Sequence, residues 1–316
     1  MMKHSSRYSK TPYVQRPFVA LALVVALSSC SDDEPVNIDD SGGDIFGSVT
    51  SEGFNRTFVL HIPPSNDAAK PAPLLIVFHG TNMTGVGMQD LTVFETFTDQ
   101  HDFLIIYLDG IDGGWSIGCD CTTPDELGIS DVTTIERLLS GVSNSFAIDM
   151  DRVYLAGFSQ GGMFAQIAGC ELSSRIAGVA SVGATTLTRV ADGCALQAPL
   201  PILFIHGTDD TVVPYDGGPG LLSAPETLAR WSELNGCQGD PEEATEPDLD
   251  PNDLTRVRSE TLMSCDGGAE VSLYTVEGGG HTWPRGQRPL GSDFGAVSQD
   301  VSGSEVITEF FLRHQP

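Results

Sequence analysis

Apolar positions along the chain follow two alternating rhythms. The runs at 73–79 (PLLIVFH) and 103–108 (FLIIYL) are continuous, short and bounded by turn residues, as expected for strands buried on both faces. The stretch 54–62 is rich in β-forming residues and stops at a Pro-Pro turn, and 152–156, 176–182, 201–206 and 270–276 also read as strands. Between them apolar residues recur at helical spacing over 88–100, 130–146, 161–172, 225–234 and 304–314, with Ser130 placed to cap the second of these. Strand followed by helix, repeated, predicts an α/β architecture: a mostly parallel central sheet with helices on both faces. No internal repeat or second compositional regime interrupts 44–316, which reads as one catalytic domain without a large cap domain.

The first 43 residues follow neither rhythm. Lys3, Arg7, Lys10 and Arg16 precede an apolar run at 18–27, about half the ~20 residues that a membrane-spanning helix needs. This is the layout of a secretory signal peptide over 1–29, and Leu27-Ser28-Ser29-Cys30 resembles a lipoprotein signal in which Cys30 is lipidated. Residues 30–43, polar, acidic and ending in Gly42-Gly43, read as a flexible tether. The protein is thus expected to be exported from a bacterial cell, with a membrane reached only through the lipid on Cys30 and the outer membrane or cell surface as its address, or else the periplasm or the medium if Cys30 carries no lipid.

Charge narrows the partners. The 16 basic against 43 acidic residues give a net charge of −27, and beyond residue 29 the only lysine is Lys70. Such a surface repels nucleic acid and anionic lipid. Apart from Cys30 there are six cysteines, which outside the cytoplasm suggests disulfides. Cys237 and Cys265 flank a stretch at 238–260 that reads as a loose acidic loop and are the favoured pair, with a loop-closure contribution of about 3 kcal/mol. Cys119 and Cys121 lack a second ligand pair at zinc-like spacing, and no metal site is expected there. Asp248-x-Asp250-x-Asn252 imitates the opening of a calcium loop, but Asp253 stands where glycine is needed and Ser259 where glutamate is needed.

The candidate chemistry is nucleophilic. Two stretches match G-x-S-x-G: Gly157-Phe158-Ser159-Gln160-Gly161 and Gly114-Trp115-Ser116-Ile117-Gly118. With 35 glycines in 316 residues the pattern alone means little, so context decides. The first lies between a predicted strand and a predicted helix, where a sharp elbow exposes a serine hydroxyl; the second lies in a Gly/Asp-rich loop. Ser159 is therefore the candidate nucleophile. Serine needs a base and a carboxylate to orient that base, and on this elbow the chain order is Ser, Asp or Glu, then His. His4, His61, His79 and His101 precede Ser159, His206 precedes any suitable acid, and His314 sits in a terminal helix. His281 remains, in a glycine-rich loop after a predicted strand. The acid should follow the 201–206 strand, where Asp209 and Asp210 compete. The oxyanion donors expected are the backbone N–H groups of Gln160 and Thr81. Such chemistry requires no metal or organic cofactor.

These residues resemble the polyhydroxybutyrate depolymerase and feruloyl esterase group of α/β-hydrolases. The likeness runs from about residue 49 to the end and is carried by FHGT at 78–81, GW at 114–115, GFSQGG at 157–162, HGTDDTVVPY at 206–215, WSELNGC at 231–237 and LYTVEGGGHTWP at 273–284. It implies the α/β-hydrolase fold, a Ser159–His281–Asp210 triad with Asp210 rather than Asp209 as the acid, and Trp115, Tyr215 and Trp283 near the substrate. It also implies a secreted serine carboxylesterase for short-acyl, hydroxyalkanoate (small or polymeric) or hydroxycinnamoyl esters. A feruloyl or acetyl xylan esterase specifically, a peptidase on the same fold and a non-catalytic binding module are the competing expectations.

Overall fold

The computed structural model describes residues 37–39, 44–287 and 291–315. The signal segment 1–29, Cys30 and all of the tether except 37–39 lie outside the described residues. The described chain opens with antiparallel strands β1 (Asn37–Asp39), β2 (Ile45–Ser51) and β3 (Phe54–His61). Strands and helices then alternate: β4 (Ala72–Phe78), α1 (Gly85–Thr92), α2 (Glu95–Thr98), β5 (Leu104–Leu108), α3 (Thr123–Leu127), α4 (Asp131–Ser143), β6 (Ile148–Phe158), α5 (Gln160–Glu171), β7 (Gly178–Val182), α6 (Thr188–Gly193), β8 (Ile202–Gly207) and α7 (Ala224–Leu234). Antiparallel β9 (Glu242–Thr245) and β10 (Arg256–Leu262) precede β11 (Val271–Glu277), and α8 (Gly303–Arg313) closes the chain.

Among the described residues eleven strands join one sheet in the order β1-β2-β3-β5-β4-β6-β7-β8-β11-β10-β9. The central run from β5 to β11 is parallel, and its strands are buried on both sides, as the continuous apolar runs predict. Alternate residues face different layers. Leu74, Ile76 and Phe78 pack with α4, α5 and α7, whereas Leu75 and Val77 pack with α1 and α8. Each fully buried large apolar side chain in these layers contributes about 1.5–3 kcal/mol. Helix starts follow the expected chemistry: the Ser130 hydroxyl accepts from Thr133 N–H, and Ser223 and Glu226 close a capping box on α7.

Three expectations change. The helix read over 88–100 breaks after Thr92, because Val93 takes a left-handed conformation (φ 44°) and Phe94 turns into the core against Trp283, ring centroids 5.7 Å apart. The stretch 238–260 is not a loose loop. Arg258–Thr261 of β10 pair with Glu242–Thr245 of β9, while Arg256 pairs with Asp248 at 2.6 Å and Asp300 accepts from Leu249 N–H at 2.8 Å. Those Asp side chains are thereby engaged by arginine and backbone amides; Asp253 likewise accepts from Thr255 and Gln299, the latter at 2.6 Å. Finally, residues 37–39 of the expected tether form a strand. Cys237 and Cys265 are bonded as expected, and Cys119–Cys121 and Cys170–Cys194 form the other two disulfides, which makes Cys119 and Cys121 partners rather than metal ligands.

Candidate active site

The parallel strands β6, β8 and β11 end on the same edge of the sheet, and each delivers one residue. β6 runs into α5 through a turn so tight that a side chain on Gly157 would meet the Gly161 carbonyl oxygen at 2.1 Å, and one on Gly161 would meet the Phe78 carbonyl oxygen at 2.4 Å. Only glycine fits both places. Ser159 between them is held at φ 55°, ψ −125°, a left-handed strain at the N-cap of α5 that neighbouring packing sustains. Its N–H is anchored to the Val182 carbonyl at 2.8 Å.

The acid and base loops are laced together before their side chains meet. Asp209 N–H donates to the Gly279 carbonyl (2.9 Å), Thr208 N–H to the Val276 carbonyl (3.0 Å), and Gly278 N–H to Thr208 Oγ1 (2.8 Å). The result is a line of three buried groups. His281 Nε2 lies 2.9 Å from Ser159 Oγ, and His281 Nδ1 lies 2.7 Å from Asp210 Oδ2. An ionised carboxylate only accepts, so the proton sits on Nδ1 and Nε2 presents its lone pair to the serine hydroxyl. Asp210 Oδ1 accepts from the amides of Val212 and Val213, both at 2.8 Å, which fixes the carboxylate. Asp209 is exposed, and its carboxylate takes a bond from the adjacent Thr208 hydroxyl. Of the two competing aspartates, Asp210 is the one against the imidazole.

The loop after β4 lies beside the elbow: a side chain on Gly80 would touch Ser159 Cβ at 3.3 Å. Thr81 follows it and is exposed, while Gln160 is the first residue of α5, whose N–H has no acceptor within the helix. His79, buried, accepts from Gly110 N–H at Nε2 (2.9 Å) and faces the Gly80 carbonyl through Nδ1 (2.8 Å); burial pushes it below the usual histidine range, so it is a neutral strut. His206 is likewise lowered by burial and ties to the Val213 carbonyl at 2.8 Å, shaping the turn that carries Asp210.

The aromatic expectations need correction. Trp115 is fully buried, stacked on Phe164 with centroids 5.1 Å apart, and its indole N–H donates to the His79 carbonyl. Trp283, 2% exposed, donates to Ser304 Oγ at 3.1 Å and packs on Phe94. Both are core residues beneath the site. Tyr215 is half-buried, with its hydroxyl 3.0 Å from Thr275 Oγ1 on β11. What the sequence reading missed is the Gln160 side chain, whose Oε1 accepts from Trp115 N–H at 3.0 Å. A cavity of about 390 Å³ near Ser173, Pro201 and Arg313 opens at the N-terminal strand ends, the edge where such sheets do not place their chemistry. Among the described residues no cluster of three or more His, Cys, Asp or Glu could hold a metal ion, and no helix is long and apolar enough to cross a membrane.

The phospholipase/carboxylesterase family model matches residues 124–231, a span that includes Ser159 and Asp210. The chain is 29% identical over 254 residues to feruloyl esterase B of Piromyces equi, covering 76% of this chain and 44% of that protein. It is 27% identical over 224 residues to the bifunctional acetylxylan esterase/xylanase XynS20E of Neocallimastix patriciarum, covering 71% of this chain and 31% of that protein. The chain thus spans less than half the length of either relative. In structure it resembles an acetyl xylan esterase from Aspergillus awamori at a TM-score of 0.56 and 16% identity, over 75% of this chain and 94% of that one.

Proposed function

We propose that this chain, an α/β-hydrolase similar to curated feruloyl and acetylxylan esterases, is itself a serine carboxylesterase that cleaves acyl esters, with hydroxycinnamoyl or acetyl groups on neutral carbohydrate as the favoured class. The observation that carries the reading is the Ser159–His281–Asp210 line, 2.9 and 2.7 Å between successive members.

Ser159 Oγ attacks the ester carbonyl carbon while its proton passes to His281 Nε2, and the imidazolium so formed is stabilised by Asp210. Negative charge on the tetrahedral oxygen is met by the N–H of Gln160, at the positive end of α5, and by that of Thr81. The C–O bond to the alcohol breaks as His281 returns the proton to the leaving oxygen. Water then attacks the acyl-enzyme by the same route, giving the acid and regenerating Ser159. Export, with Cys30 as lipid anchor, belongs to this proposal, and the acidic surface favours neutral over anionic polysaccharide.

Ser159→Ala, assayed on p-nitrophenyl butyrate and methyl ferulate, should lower kcat by about 10⁴-fold or more. Turnover of both esters at the parent rate would remove Ser159 from the chemistry, and cleavage of aminoacyl amides without ester cleavage would favour the peptidase reading.

A further inference from the structure

The second G-x-S-x-G stretch has no part in the triad, yet its serine is tied to a buried ion pair. Arg56 on β3 and Asp131 at the start of α4 pair with both side chains at most 1% exposed. Arg56 lies on the same inward face of β3 as Phe58 and Leu60, where an arginine is costly unless it has work to do. The other oxygen of Asp131 accepts from Ser116 N–H at 2.5 Å, and Asp131 N–H donates back to Ser116 Oγ at 3.0 Å. The loop holding Ser116 then grips both sides of the site. On one side Asn82 N–H donates to the Gly113 carbonyl (2.8 Å) and Trp115 Nε1 donates to the His79 carbonyl (2.8 Å), bracketing Thr81. On the other, Trp115 N–H donates to Gln160 Oε1 at 3.0 Å. The two proposed oxyanion donors come from different elements, β4's exit loop and α5's first turn, and this loop bonds to both.

We infer that the loop at 110–118, locked by Arg56 and Asp131 through Ser116, sets the spacing of the oxyanion hole, so that Arg56, Asp131 and Ser116 are positioning residues for the reaction. The inference rests on Ser159 being the nucleophile and Thr81 and Gln160 the donors. Oxyanion binding depends on donors sitting 2.7–3.1 Å from the charged oxygen, and a displacement of about 1 Å costs on the order of 10²-fold in rate. Loosening the lock should therefore weaken binding of the charged tetrahedral species while leaving the ground-state ester bound as before.

Three variants test this: Ser116→Ala, Gln160→Ala, and the double variant Arg56→Met/Asp131→Leu, which leaves no lone buried charge. Each is assayed on p-nitrophenyl butyrate, and for inhibition by butylboronic acid, at a temperature where circular dichroism shows it folded. The expected result is a kcat loss of about 10- to 100-fold, KM within about threefold, and a parallel loss of boronate affinity. Ser116→Thr, which keeps the hydroxyl, should restore most of the kcat lost in Ser116→Ala. A kcat within twofold of the parent in Ser116→Ala and Gln160→Ala would overturn the inference whether or not the double variant folds. So would a kcat loss without loss of boronate affinity. Ser159→Ala in the same series separates the two levels: activity surviving there sinks the esterase reading, whereas its loss beside fully active Ser116→Ala and Gln160→Ala sinks only the brace.

Discussion

Two stretches of this chain share the five-residue pattern G-x-S-x-G and differ in their setting. At 157–161 the serine sits at a left-handed φ between a parallel strand and a helix, with an imidazole nitrogen 2.9 Å from its oxygen. At 114–118 the serine sits in a loop, and its oxygen accepts a backbone N–H from the first residue of α4. A hydroxyl is ordinary in both. What makes one a candidate nucleophile is a base held against it by a separate strand, and that relation spans 122 residues of sequence. Pattern therefore identifies candidates, and the ends of parallel strands choose among them.

The aspartates pose the same comparison at closer range and offer the largest effect. Asp210→Asn should lower kcat by about 10⁴-fold, because an amide there reverses the imidazole tautomer, while Asp209→Asn, one residue away, should leave kcat within about twofold. Equal losses in the two variants would break the argument that the turn holding Asp210 selects the acid.

Paired cysteines extend the contrast to stability. Removing Cys237–Cys265, with 28 residues of separation, should cost about 3–4 kcal/mol and lower Tm by on the order of 10 °C. Replacing Cys119 and Cys121, separated by two residues, should cost about half as much, since the loop they close is minimal. Calorimetry on the two double Cys→Ser variants checks the ranking.

Histidines between carboxylates give the smallest effect. His61 has Asp44 at 2.7 Å and Asp99 at 2.8 Å on its two nitrogens, yet it has no hydroxyl partner and no place at the strand edge that carries the triad. Burial lowers its affinity for a proton, but the hydrogen bonds to Asp44 and Asp99 outweigh this, so its pKa is raised in the fold. Folding therefore favours the protonated ring. That stabilisation is complete below the unfolded value near 6.5 and fades as pH rises through the higher folded value. In His61→Gln the difference in Tm between pH 6 and pH 8 should narrow, and ester turnover should be unchanged. An unaltered pH dependence would remove His61 from it.

How much was legible in advance follows from the range of each interaction. The buried parallel strands and the helices over them were readable because continuous apolar runs and 3.6-residue spacing are local signals. β9 and β10 were not, because Glu242, Glu243, Glu246 and Asp248 resemble a solvated loop until pairing with β11 through β10 is known. Val93 at positive φ follows from Phe94 being drawn into the core, a tertiary cause. Chain order and loop chemistry singled out Ser159 and His281 and narrowed the acid to Asp209 or Asp210, and only the family resemblance favoured Asp210. Trp115 and Trp283 were expected near substrate from the family resemblance, but a shared motif says nothing of the direction a ring points, and both rings turn into the core. Arg56 carried an overlooked signal: a lone arginine in phase with Phe58 and Leu60 needs a buried partner.

Of the two matching serines, Ser159 and not Ser116 is the proposed nucleophile. Mass spectrometric peptide mapping after treatment with a fluorophosphonate tests it directly, since the reagent reacts far faster with a serine oxygen activated by a neighbouring base than with an ordinary hydroxyl. The adduct should form on the peptide containing Ser159, abolish ester hydrolysis in proportion, and be absent from Ser159→Ala. Modification at Ser116, or full inactivation with Ser159 unmodified, would contradict the account.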